Sequence, residues 1–542
     1  MLFCRLQSLV FLSSLVLCAT SHAAAPAIDY LFPAGGQQGT SVTFTVGGAK
    51  ADAKLEPWPV SVWSDGDGLK FKAGEKNGQF SVDIAPDCAP GPHLVRFYNA
   101  DGASAPRLFV VSRHVEQQEP KSKDAPREPH PVAVLPAVLN GQLEKRGETD
   151  AWAINVEAGK WIVAELEARR LGSPIDAALQ LLDPDGTIVA FGHDEFWLDP
   201  MVAYHAPRSG RYILQIAGFV NPPSSDVRFA GSPATVYRLN VTTGPYARRA
   251  FPAVVGAVGK AAVRLSGWNL PNDGLAVEVE PRQGQAFAGA EINNHLRIAV
   301  SDEQGRLEAE PNDDPPQAIT LPAGIDGRLQ APGDVDRYKI AVKKGDRLTL
   351  AVRAREIASK LDPVLTVTDA DGKQLAREDD TGGVGQDPRL DWQAPADGDY
   401  IVAVADLHRA GGPDHIYRLD LTTAPTFSAT ADASFVVLTP GATAELKLKV
   451  VKSGNHSMPL KATVEGLPPG VSAKPVEVAA KGGAVTIKLT AEPTAEPANL
   501  AIRVRLSGDV DEKPAVFPTG FDQFAPQTPH LWLTVTGAKE KK

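Results

Sequence analysis

The chain has 542 residues, 43% hydrophobic and 22% charged, with 48 Gly, 45 Pro and 3 Cys. Its formal net charge of −10 is spread without a basic patch, which argues against nucleic acid, a partner held mainly by Lys and Arg on phosphates. The length suffices for several domains, and beyond the N-terminus no run reaches the roughly 20 apolar residues of a spanning helix.

The N-terminus reads as an address. Arg5, the apolar run from Leu9 to Leu17 and then Ser21-His22-Ala23 have the layout of a secretory signal peptide over 1–23, cut after Ala23. Cys18 follows the bulky Leu17, which argues against lipoprotein attachment. Losing Arg5 takes the net charge to 54 − 65 = −11 and removes Cys4 and Cys18, so Cys88 stands alone. An internal disulfide is then impossible despite an oxidising destination. Cys88, beside Asp87 and Ala89-Pro90, is expected to be a buried or turn thiol.

After the leader, short alternating runs replace helical periodicity: Val42/Phe44/Val46, Leu348/Leu350/Val352, Leu446/Leu448/Val450 and Val485/Ile487/Leu489. Each places apolar side chains on one face of a strand. Asp-Gly pairs at 101–102, 185–186 and 371–372 are hairpin signals. The predicted class is all-β, a tandem array of β-sandwich domains, jelly-roll-like and immunoglobulin-like. In chain order the expected units are an immunoglobulin-like domain at 26–112, a charged, Pro-rich linker at 113–131, and a first long repeat at 132–243. A short immunoglobulin-like unit at 246–302 restarts with Phe251-Pro252-Ala253 as the first did with Phe32-Pro33-Ala34. A second long repeat at 303–424 and a C-terminal immunoglobulin-like unit at 427–537 follow.

The long repeats match one another. Gly147–Trp152 returns as Gly333–Tyr338, with Asp150 and Asp336 at an offset of 336 − 150 = 186. The register holds through Asp176/Asp362 and Asp185-Gly186/Asp371-Gly372, and Val236–Thr243 answers Ile416–Thr423. Aromatics at matched places, Trp152/Tyr338, Tyr212/Tyr400 and Tyr204/Trp392, are expected in the cores. Duplication of a whole module marks an array.

On these residues the two repeats resemble bacterial pre-peptidase C-terminal domains, β-sandwich modules found beside secreted peptidases and in bacterial collagenases. The second copy carries the stronger motifs: Glu308-Ala309-Glu310-Pro311-Asn312-Asp313, Gly333-Asp334-Val335-Asp336-Arg337-Tyr338, Leu361-Asp362-Pro363, Asp379-Asp380 and Gly398-Asp399-Tyr400. The 26–112 and 246–302 units resemble IPT/TIG immunoglobulin-like modules more weakly, and 427–537 is similar to immunoglobulin-like domains accompanying secreted glycosidases. In collagen-binding relatives an acidic entry segment binds calcium, so the resemblance implies Ca²⁺ at Glu308, Glu310, Asn312 and Asp313, with Asp334 and Asp336 downstream. Carboxylate and amide oxygens are the hard ligands that Ca²⁺ takes in sixes to eights. The alternative is a solvated acidic lead-in. The first copy reads Glu116-Gln117-Gln118-Glu119-Pro120-Lys121-Ser122, with Lys121 and Ser122 in place of the Asn-Asp pair. An ammonium cannot ligate a cation, so calcium is expected in the second repeat alone.

Phe196-Trp197 lies in an insertion of the first repeat and is a candidate contact for sugar rings or protein grooves, the alternative being that Trp197 caps its own sandwich. Catalytic signatures are missing. Gly39-Thr40-Ser41-Val42 runs into strand residues, and neither His-Glu-x-x-His nor Gly-x-Ser-x-Gly occurs. His408 and His415 beside Asp406 and Asp414 read as solvated loop histidines. The expectation is a secreted, non-catalytic protein that binds extracellular protein, polysaccharide or cell-surface components. The alternatives are a structural spacer of a cell-surface assembly, an accessory chain of a secreted peptidase or glycosidase, or an unrecognised hydrolase.

Overall fold

The computed structural model describes residues 25–48, 58, 60–120, 128–195, 198–221, 228–281, 286–288, 291–301, 303–381, 386–423, 426–453, 458–508, 512–521 and 525–537. These residues are almost wholly β, interrupted by two 3₁₀ turns at the matched positions Arg169–Leu171 and Arg355–Ile357. Alternation does what it promised. Leu348, Leu350 and Val352 are all buried, as are Leu446, Leu448 and Val450, each triplet filling one face of a sandwich core. Each such side chain contributes about 2 kcal/mol by leaving water.

The two long repeats share one strand order. Each is a pair of five-stranded sheets. In the first sandwich, Ala137–Gln142 pairs with Val236–Thr242, which pairs with Trp161–Glu167. In the second, Ala323–Arg328, Ile416–Thr422 and Arg347–Arg353 repeat that order. Turn chemistry is duplicated too. Asp183 Oδ1 accepts from the amides of Asp185 and Thr187, and Asp369 Oδ1 from those of Asp371 and Lys373. Gly186 and Gly372 then take φ of 81°, which only glycine adopts without strain.

One expectation is corrected. The 113–131 stretch is not a simple linker, because Val115–Gln118 and His130–Pro131 each pair, in parallel, with a strand of the first sandwich. Its polar residues concealed this. Glu116 binds the buried guanidinium of Arg238 through both oxygens at 2.9 Å, so its charge is internal rather than solvated. The second sandwich answers with Arg418, fully buried against Asp326 and Asp420 at 2.8 Å each.

The three remaining units share a different device. In each, the first strand pairs antiparallel within one sheet, and the next segment crosses to pair in parallel with a strand at the end of the unit. The pairs are Gly35–Gln37 with Arg107–Ser112, Val254–Gly256 with Arg297–Ser301, and Phe435–Leu438 with Leu531–Val535. The array also closes on itself. Trp532 of the last unit packs on Trp63 and Tyr98 of the first, with ring centroids 5.7 and 5.2 Å apart. Arg96 donates to the Ser434 carbonyl at 3.1 Å, and Asn499 to that of Asn99 at 2.8 Å.

Candidate metal centre

The acidic entry segment lies against the end of the second sandwich. Gly305–Leu307 pairs in parallel with Ala323–Arg328, which leads Glu308 onto the sandwich, where its Oε1 accepts from the Arg328 amide at 2.8 Å. The chain then turns. Glu310 Oε2 accepts from the Asn312 amide at 3.0 Å, and Asp313 Oδ1 from that of Val335 at 3.3 Å. Arg337 fixes the turn by donating to the Asp313 carbonyl at 2.8 Å.

Asp336 is the hub. It is the second residue of the strand Val335–Val342, on the inward face, and is fully buried. Ligand oxygens of Glu308, Glu310 and Asp336 lie within 4.8 Å of one another, and so do those of Asp313, Asp334 and Asp336. Thus the structure brings the five predicted carboxylates into two trios sharing Asp336. An open hollow of about 560 Å³ beside them is lined by Glu310, Asp313, Gly333 and Asp334 among others. Asn312, the sixth predicted residue, is fully buried, and neither atom of its side-chain amide has a hydrogen-bond partner. Asp336 Oδ1 is likewise buried without one.

Unpaired buried oxygens cost about 1–3 kcal/mol each, and the cluster repels itself as well. Burial, then the Glu308 charge, pushes the Asp336 carboxyl up to about 9. Burial raises Glu308 to about 7 and also raises Asp334. The donors are carboxylate and amide oxygens without imidazole or thiolate, a set matched to a hard cation such as Ca²⁺. These residues fit calcium, which would satisfy Asn312 Oδ1 and Asp336 Oδ1 and neutralise the repulsion.

Two participants were hidden among the core aromatics. Tyr417 donates to Asp336 Oδ2, the Tyr338 and Tyr417 hydroxyls bond each other, and both reach Glu308 Oε2 at 3.4 Å. Sequence matching had marked Tyr338 as scaffold, and it is fully buried, as are Trp152 and Tyr212. Tyr400 and Trp392 are also buried, and Tyr204 packs partly buried on its core.

The first sandwich keeps part of this arrangement. Gln118 pairs with Asn140 as Leu307 does with Asp326, so Glu119 holds the place of Glu308, two residues from the sequence match to Glu310. Glu119 Oε1 accepts from the Gln142 amide at 2.9 Å, as Glu308 does from Arg328. Asp150 is buried and bonded by Tyr237 at 2.9 Å, which in turn accepts from Trp152 at 3.0 Å. Glu148, in the place of Asp334, accepts from the Lys145 amide at 2.8 Å. Among the described residues these acids form no trio, while Lys121 and Ser122 lie outside the described residues.

The first sandwich instead holds a third trio at another place: Asp176, His193 and Asp194. His193 Nε2 lies 3.2 Å from Asp176 and Nδ1 3.0 Å from Asp194. Phe196 and Trp197, just beyond, lie outside the described residues. His408 faces Asp362 at 3.6 Å, and neither it nor His415 belongs to a trio among the described residues. Ser41 donates to Asp83 at 2.6 Å. Cys88 is buried and free, its thiol pushed up by burial, and its neighbour His93 is bonded through Nε2 to the Ala89 carbonyl at 2.6 Å. The leader at 1–23 lies outside the described residues, among which no helix is long and apolar enough to cross a membrane.

The chain is 36% identical over 113 residues to a probable subtilase-type serine protease of Deinococcus radiodurans, a match covering 19% of this chain and 15% of that protein. Among solved structures, tripeptidyl peptidase 2 aligns over 94% of this chain and 40% of its own at 11% identity and a TM-score of 0.15. The surface layer protein SbsC, domains 1–6, aligns over 74% and 54% at 9% identity and a TM-score of 0.15. Likenesses this slight carry no argument. The family model described as bacterial pre-peptidase C-terminal domain matches residues 334–406, and a domain of that family is therefore present in the second sandwich.

Proposed function

We propose that this chain is a secreted or cell-surface, non-catalytic binding protein whose second sandwich is a calcium-assisted module for extracellular protein or polysaccharide. The observation that carries the reading is the buried, unpartnered oxygens of Asn312 and Asp336 beside four further carboxylates. Calcium held there by Glu308, Glu310, Asn312, Asp313, Asp334 and Asp336 fixes the entry segment against the sandwich. On this reading the first sandwich is a second pre-peptidase-type copy that has lost calcium, and an IPT/TIG-like unit precedes each copy. Two weak sites on one chain hold a repeating polymer more tightly than either alone where geometry permits.

A second reading has a specific observation behind it. The match to a subtilase-type protease favours an accessory role beside a secreted peptidase. Sedimentation of the full chain with collagen, chitin, cellulose and bacterial cell walls, with calcium or chelator, separates them. Calcium-dependent retention supports binding, and retention on none favours an accessory or spacer role. Turnover of generic peptide or glycoside substrates overturns the non-catalytic reading. In the same assay Trp197→Ala is expected to weaken retention without lowering the melting temperature, whereas a lowered melting temperature places Trp197 in the core.

A further inference from the structure

The outer face of one sheet in the first sandwich is aromatic where its counterpart is not. The strand Ile175–Leu182 alternates buried and half-buried, so Asp176, Ala178 and Gln180 point outward. On Gly210–Val220 the outward residues opposite them are Phe219, Ala217 and Gln215. On Ile188–Gly192, Phe191 stands opposite Gln180. The face therefore has an alanine floor between two walls about 14 Å apart, at four residues of strand rise. One wall is Phe191, Gln180 and Gln215, and the other is Asp176, with its His193 partner, and Phe219.

These rings are open to solvent. Phe191 is 61% exposed, Phe219 39% and Phe229 52%, and the last two stack on each other at 5.1 Å. The Phe219–Phe229 pair makes one exposed apolar patch on this face, with Phe191 standing alone at its other end. In the second sandwich the row matching Phe191, Gln180 and Gln215 is Arg377, Thr366 and Ala403, and the place of Phe219 is taken by Leu407 beside Asp362, so the scaffold requires no aromatic ring at either position.

We propose that this face binds a neutral polysaccharide chain, an inference that rests on the binding role above and adds to it a site in the first sandwich. Flat exposed rings suit stacking against the apolar faces of sugar rings. The side-chain amides of Gln180 and Gln215 both donate and accept, and carboxylates accept from hydroxyls, which matches a polyol. Charge selects further. With Asp176 and Asp194 at one wall of a chain of net charge −10, an acidic glycan is repelled, and a neutral one is not.

The test is affinity electrophoresis of the full chain in gels containing mixed-linkage β-glucan, xylan or galactomannan, with alginate as the acidic control. At least one neutral glycan retards the protein and alginate does not. Phe219→Ala and Phe191→Ala each weaken that retardation at least about tenfold, a 1.4 kcal/mol change, without altering the melting temperature. Retardation survives chelator, because the rings and amides that make the contacts are not ligands of the calcium site. Preference for alginate, or unchanged affinity in both variants, overturns the proposal. If the chain still sediments with cell walls while no neutral glycan retards it, this inference falls and the binding role stands. If it is retained by no polymer, both fall.

Discussion

Asp336→Asn separates the electrostatic cost of the acidic pocket from its use. Asp336 is fully buried, and burial together with the Glu308 charge lifts its carboxyl from 3.8 to about 9. A folded-state value above the unfolded one means that its contribution to stability is fully present below pH 3.8 and is lost as pH rises towards 9. At pH 7 without calcium, roughly three pH units at about 1.4 kcal/mol each put the cost on the order of 4 kcal/mol. Asparagine keeps the shape and an oxygen for Tyr417 but has no proton to hold, so the calcium-free variant is expected to be the more stable by a few kcal/mol. Calcium should then act on the wild type alone. An extracellular-type affinity of about 10⁻⁴–10⁻³ M gives roughly 0.6–2 kcal/mol in about 2 mM calcium. Scanning calorimetry of both proteins at neutral pH, in chelator and in calcium, reads both effects. A calcium-free variant that melts below wild type, or an equal calcium shift in both proteins, refutes the reasoning.

Without calcium the wild-type chain should lose stability between pH 5 and pH 9, the range in which the folded chain still holds protons on Glu308, up to about 7, and on Asp336, up to about 9, that the unfolded chain has already released. Saturating calcium should flatten that slope in urea titrations, and a calcium-free stability that rises with pH contradicts the burial of these carboxyls. Arg418→Ala leaves Asp326 and Asp420 without their buried partner and is expected to cost about 3–5 kcal/mol, measured by chemical denaturation. Trp532→Ala removes the contact with Trp63 and Tyr98 and is expected to enlarge the radius of gyration in solution scattering, and an unchanged scattering profile argues against the closed array.

The class of fold was legible because alternation is a local property. Leu446, Leu448 and Val450 must share one face of any strand that contains them, whatever surrounds it. The duplication was legible for the same reason, since Asp183 and Asp369 shape their hairpins with neighbours two and four residues away. Pairing across long separations was not. Val115–Gln118 looked like linker because Glu116 is charged, and only the buried Arg238, 122 residues later, explains it. The acidic cluster was half legible. Residue types marked Glu308, Glu310, Asn312 and Asp313 as candidate oxygen ligands, but the shared position of Asp336 and the hydroxyls of Tyr338 and Tyr417 depend on three strands meeting. Register between the copies slipped by two residues at Glu119, where the pairing of the preceding strand outweighs the shared Glu-Pro dipeptide. The closure of the last unit on the first left no local trace, since Arg96 and Ser434 are 338 residues apart.

Calcium at the entry of the second sandwich is tested most directly by titrating calcium calorimetrically into the chelator-treated full chain, wild type and Asp336→Asn side by side. Saturable binding to the wild type that is lost in the variant is the expected result. No saturable binding to the wild type, or the same isotherm for both proteins, contradicts a calcium site built on Asp336.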